Sequence, residues 1–139
     1  MSSFEQEFFQ KFKFTAAQID RYVESAIRDL DIAQKDQFRE VQFTYCYQAL
    51  IKIGMAVLAK KGGVKVRSVT GHHVKILLKL SEILGDPDIF TVGNVMRMKR
   101  NKDLYDAGGT ITKKETDDYI AFVSQVIQKT KRIVHKKET

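Results

Sequence analysis

Along this chain apolar residues recur at spacings of three and four rather than two, so helical periodicity dominates. In "FEQEFFQKF", Phe4, Phe8, Phe9 and Phe12 fall on one helical face, which predicts a short N-terminal amphipathic helix. Thr15 has an N-cap side chain, and the helix it opens carries Ile19, Tyr22, Val23, Ala26, Ile27 and Leu30. The segment from about Asp36 to Lys61 is apolar on most sides in its middle, as befits a central helix. Gly62–Gly63 ends it, with Lys60 and Lys61 placed well against the C-terminal dipole. After the loop "GGVKVRSVTG", the stretch "HHVKILLKLSEILG" predicts an amphipathic helix stopped by Gly85. Asp86 caps the next helix, and Pro87 takes its first position, where a missing N–H costs nothing. That helix carries Ile89, Val92, Val95 and Met96 and is closed by Gly108–Gly109. The last helix opens with "TKKE", Thr112 to Glu115, a capping box, and the tail "HKKET" is expected to fray.

These elements predict an all-α fold, an up-and-down four-helix bundle with an additional short N-terminal helix. No repeat or low-complexity linker divides the chain, so residues 1–139 read as a single domain with a bundle core over about 15–135.

One helix breaks the pattern. In "VMRMKRNKDLYDAGG", Val95 to Gly109, the residues Arg97, Asn101 and Tyr105 share one line, Asn94 extends it backwards, and Arg100 flanks it. Lys99, Lys102, Asp103 and Asp106 occupy the other side, and no broad apolar stripe survives past Met98. In a bundle, part of that polar line must face a neighbouring helix or a cleft. A half-buried guanidinium needs a carboxylate or an anion to satisfy it. The alternatives are an internal network, with Arg100 bridging to an acid on the N-terminal helices, and a site for an anionic ligand.

Charge adds weight to the second. The net charge is +7 and uneven: residues 1–40 balance at −2, residues 41–139 at +9. Lys60 to Lys79 and Arg97 to Lys102 contain no acid at all. A basic surface favours RNA, DNA or nucleotide phosphates. Composition otherwise excludes rather than selects. No apolar run reaches the roughly 18–20 residues that span a bilayer, so no membrane partner is expected, and the acidic, aromatic start is unlike a secretory signal. Cys46 lies in apolar "FTYCYQAL" and reads as a core residue. These features together point to the cytoplasm. His72 and His73 are adjacent, with no acid or cysteine at ligand spacing, so no metal and no cofactor are expected. One histidine either bonds a loop carbonyl at the helix start or lines a phosphate-binding cleft. There is no phosphate-loop spacing, no nucleophile motif and no paired catalytic carboxylate.

Two segments together resemble the HEPN superfamily of small helical-bundle proteins. The stretch "FREVQFTYCYQALIKIGMAVLAKKGGVKVRSVTGHHVKILLKL" is similar to the family's central helix, glycine-containing loop and "GHH" helix start. "RMKRNKDLYDAGG" resembles its signature, an arginine followed by a polar residue and then, a few residues on, a histidine. The resemblance implies a dimer whose signature helices face each other across a basic cleft, with metal-independent endoribonuclease activity in active members. Other members bind nucleic acid or nucleotides without cleavage, and many pair with a nucleotidyltransferase-like antitoxin. Carried over, Arg100 matches the arginine and Asn101 the polar residue, while Tyr105 stands where the histidine is expected. Tyrosine, with a reference pKa of about 10, is a poor base at neutral pH but can bond a phosphate or stack on a base.

The expected catalytic set is therefore Arg100, Asn101 and Tyr105, with Arg97, Lys99, Lys102, His72 and His73 binding phosphate or nucleic acid. The expected function is an RNA- or nucleotide-binding domain, a divergent ribonuclease of toxin–antitoxin type acting as a homodimer. The alternatives are a non-catalytic helical module pairing with a nucleotidyltransferase-like partner, and an interaction protein whose arginines meet a partner's acids.

Overall fold

The computed structural model describes residues 4–105 and 111–135, the side chains of 102–105 excepted. Helices α1 (Ala16–Lys35), α2 (Arg39–Val57), α4 (Pro87–Tyr105) and α5 (Lys113–Val134) are long, and α3 (His72–Leu84) is shorter. Strands β1 (Phe9–Lys11) and β2 (Val64–Val66) form a small antiparallel ladder. The fold is all-α in class, a helical bundle with one extra short helix.

Local side-chain chemistry sets the helix ends. The Thr15 hydroxyl accepts from Gln18 N at 3.1 Å while Thr15 N donates to the Gln18 carboxamide at 2.9 Å. Thr112 and Glu115 make the same reciprocal pair, at 3.1 and 3.2 Å. Asp88 N donates to Asp86 Oδ1 ahead of α4, and Pro87 is its first residue. Gly85 stops α3 in the left-handed conformation, φ 63°. Gly63 does the same for α2, φ 59°, after a last turn, Leu58–Gly62, that widens into a π turn.

Helix α2 is the centre. Phe43, Tyr47, Leu50, Ile53 and Val57 are buried along one face, with Ala49, Ile51 and Ala56 buried on its flanks, and each large side chain contributes roughly 1.5–3 kcal/mol through burial. Cys46 lies among them, fully buried, and its thiol is pushed up to about 12 by desolvation, consistent with a core role. Two glycines let helices approach closely. A Cβ on Gly54 would lie 2.6 Å from Ile76 Cγ2, and one on Gly93 would lie 2.7 Å from Leu77 Cδ2.

Two local features differ from the sequence expectation. The stretch Phe4–Phe12 is not a helix: a turn leads into β1, which pairs Phe9 with Val66 and Lys11 with Val64. Phe9 is buried by packing across the chain instead, Phe4 and Phe8 are half-buried, and Phe12 is exposed. Phe4 meets Phe9 edge-on at 5.2 Å and lies against Gly62, under the Lys79 ammonium. The second difference is direction. Gln42 bonds Ala33 while Lys52 bonds Ser25, so α1 and α2 are antiparallel. Asp86 meets Lys129 while Lys99 meets Glu115, so α4 and α5 are antiparallel too. By contrast Tyr47 meets His73 and Gly54 faces Ile76 and Leu80, so α2 and α3 run the same way. The chain between them, Gly63–Gly71, travels back along the bundle as β2 and a loop, pinned by β1. That return places the start of α3 beside the C-terminal half of α4.

Candidate anion-binding site

The buried side of α4 carries Ile89, Gly93 and Met96, and Arg100 takes the next position on that line but is exposed, where the sequence predicts a half-buried guanidinium. Val95, expected inside, is 43% exposed instead, and its neighbour Met98 is 56% exposed. Arg100 reaches out of the stripe so that its guanidinium carbon lies 5.5 Å from the centroid of the buried Tyr47 ring. Arg97 is half-buried, and its Nε donates to Asn94 Oδ1 at 2.9 Å. Among the described residues no carboxylate pairs with either guanidinium.

The facing wall is the start of α3. Gly71, at φ 83°, turns the chain into the helix without a side chain to cap its first amides. His72 Nδ1 lies 2.7 Å from Val69 O. A carbonyl can only accept, so Nδ1 carries the proton and the neutral ring keeps a lone pair on Nε2. His73 Nδ1 bonds Tyr47 Oη at 2.9 Å, and the two imidazoles meet edge to face, 4.3 Å between centroids. Between the walls is a cavity of about 320 Å³ lined by residues 68–74, Arg97, Arg100 and Asn101.

Burial and positive neighbours set the protonation of this wall. His73 is lowered to about 4, first by desolvation and then by His72, Arg100 and Arg97. Tyr47 is raised to about 12 by desolvation, against a smaller opposing effect of the two arginines. At neutral pH the His73 imidazole and the Tyr47 phenol are therefore both uncharged, and Arg97 and Arg100 bring two guanidinium charges to the cleft.

The cleft thus gathers Arg97, Arg100, Asn101, His72 and His73. Lys99 goes elsewhere: its ammonium lies 2.7 Å from Glu115 on α5, an interaction that holds the Glu115 carboxyl below its usual range. The side chains of Lys102 and Tyr105, and Gly108–Gly109, lie outside the described residues. His135 sits 3.6 Å from Asp20, at the far end of α5. Among the described residues no three His, Cys, Asp or Glu side chains gather as a metal site. No helix among them is long and apolar enough to cross a membrane.

Sequence reasoning missed a second cavity, about 300 Å³, on the other side of Arg100 and His73. It lies between α1 and α2 and includes Tyr22, Ser25, Tyr47, Gln48, Ile51, Lys52 and Met55, with Arg100 and His73 shared between the two cavities. The available signal was Lys52, a charge inside the apolar run "ALIKIG". Lys52 Nζ lies 2.7 Å from Asp29 Oδ2 and donates to Ser25 Oγ at 2.8 Å. The Asp29 oxygen, although buried, receives charge compensation without a well-directed hydrogen bond.

Comparison with protein-family models, with curated proteins and with solved structures gave no match to this chain.

Proposed function

We propose that this chain is a HEPN-like domain that binds the phosphates of RNA or of a nucleotide in the cleft between α3 and α4. The observation that carries the reading is the pairing state of the arginines. Arg97 and Arg100 converge on one concave wall, and their partners among the described residues are an amide and an aromatic face, neither of which neutralises them. An anion would supply that neutralisation, and a guanidinium suits a phosphate because its donors form a planar fork. At the start of α3 on the opposite side His72 N donates to Val69 O, and the next amides, uncapped by any side chain, are added to the cleft.

Cleavage would need a group to take the 2′-hydroxyl proton. His72 has the right form, since its Nδ1 proton is committed to Val69 and Nε2 is left to accept. Its ring stands on the wall that faces Arg97 and Arg100 across the cavity. In that reading the arginines hold the scissile phosphate and Asn101 orients it. The deciding experiment incubates wild type, Arg100→Ala and His72→Ala with single-stranded RNA in chelator. Cleavage by wild type alone marks a metal-independent endoribonuclease. Binding without cleavage, lost in Arg100→Ala, marks a binding module, and no binding at low salt removes the phosphate reading.

The second reading, a protein-pairing module, is favoured by Val95 and Met98, which stand exposed almost one turn apart on α4. A homodimer or a nucleotidyltransferase-like partner would cover them. A dimer mass by light scattering that falls to a monomer in Met98→Glu supports it, and a monomer for wild type at micromolar concentration counts against it.

A further inference from the structure

The cavity on the α1–α2 side of Arg100 differs in chemistry from the phosphate cleft it adjoins. Its faces are the rings of Tyr22 and Tyr47 with the side chains of Ile51 and Met55, and its polar groups are Ser25, Gln48 and Lys52. At about 300 Å³ it lies at the small end of ligand sites, room for a ring system and little more. Arg100 and His73 line both spaces, so they form the partition between an apolar slot and a cationic cleft.

The polar groups on the rim are the informative part. Gln48 is half-buried and makes no hydrogen bond among the described residues, which leaves a carbonyl and an amide group side by side. Ser25 Oγ accepts from Lys52 Nζ at 2.8 Å, so its own proton is free to donate. An aliphatic ligand would fill the faces but leave Gln48 unpaired, and an unpaired buried amide is unfavourable. A sugar would bond the rim but leave the aromatic and thioether faces uncovered. A flat heterocycle with donors and acceptors on its edge satisfies both.

We infer that this slot holds the nucleobase of an unpaired nucleotide whose phosphate lies on Arg97 and Arg100, an inference that rests on the phosphate-binding reading of the cleft. The nucleotide bridges the partition: its base meets Gln48, and its phosphate meets the guanidinium groups on the far side. A base stacked in a duplex cannot enter, so the ligand is a free nucleotide or a single-stranded stretch of RNA.

The test is calorimetric titration of the full chain with the four nucleoside 5′-monophosphates, ribose 5-phosphate and inorganic phosphate. A single-stranded oligoribonucleotide and an abasic strand of equal length distinguish the two sources. At least one nucleotide should bind about tenfold or more tighter than ribose 5-phosphate, the margin that stacking provides. Gln48→Ala should shrink that margin severalfold while leaving ribose 5-phosphate unaffected, and its melting temperature should stay unchanged because Gln48 makes no bond the fold would miss. Arg100→Ala should weaken every phosphate ligand. A base-dependent gain with the oligonucleotide but not the mononucleotides assigns the slot to RNA. Equal binding of nucleotides and ribose 5-phosphate, and of intact and abasic strands, all still dependent on Arg100, overturns the slot and leaves the cleft standing. Failure of every ligand to bind overturns both.

Discussion

Tyr47 Oη and His73 Nδ1 lie 2.9 Å apart, and that bond joins the core of α2 to the first turn of α3. Their rings lie 5.6 Å apart, with the Arg100 guanidinium above the phenol. The pair fixes the imidazole between the slot and the cleft, and the same surroundings hold it neutral. A structural bond of α2 therefore doubles as a wall of the site.

This pair makes stability depend on pH. The ring takes up a proton near 6.5 in the unfolded chain and near 4 in the folded protein. Between those values the unfolded state binds more protons, so the contribution of His73 is complete above about 6.5 and is lost as pH falls towards 4. Urea denaturation at pH 7.5, 6 and 5 should give falling midpoints, with a shallower decline in His73→Gln. Parallel declines in the two proteins would remove His73 as a source.

The same field couples protonation to ligand. A phosphate on Arg97 and Arg100 cancels part of the positive potential that lowers His73, so anion binding should raise its pKa. By linkage, affinity for the anion should rise as pH falls through 6 towards 4. Imidazole chemical shifts titrated with and without inorganic phosphate measure this. An unmoved His73 titration under saturating phosphate would place the anion elsewhere.

Packing at the α2–α3 contact gives a stability prediction independent of any ligand. Alanine at position 54 gains about 1 kcal/mol of helix propensity over glycine. Its methyl group meets Ile76 Cγ2, a branch held by a stiff χ1, at 2.6 Å, and overpacking of that kind costs about 1–3 kcal/mol. The net expectation for Gly54→Ala is a loss of about 1 kcal/mol in chemical denaturation. A gain in stability would mean that α3 can move away from α2 freely.

What could be read from the sequence follows from how local each feature is. Thr15, Gly85, Asp86–Pro87 and Thr112–Glu115 act within a few residues of themselves, so the helix ends were legible. The strand β1 was not, because its partner lies more than fifty residues away and three residues are too few to display a two-residue period. Helix α4 looked stripped of its apolar face because Gly93, which packs against Leu50 and Leu77, adds nothing to a hydropathy pattern. The arginine line on α4 stood out for the same reason. Its meeting with His72 and His73 depends on the returning loop Gly63–Gly71, which no local pattern encodes. The slot was hidden because Ser25, Gln48 and Lys52 look like ordinary polar positions until α1 and α2 are placed together.

The most direct measurement of the central idea is the salt dependence of affinity for a short single-stranded RNA, compared between wild type and the double variant Arg97→Ala/Arg100→Ala. If both guanidinium groups hold phosphates, the variant should bind more weakly at every salt concentration, and its slope of log affinity against log salt should be shallower by about 1 to 2. Equal affinities and equal slopes in the two proteins would contradict it, leaving a basic helical bundle whose cleft receives no phosphate.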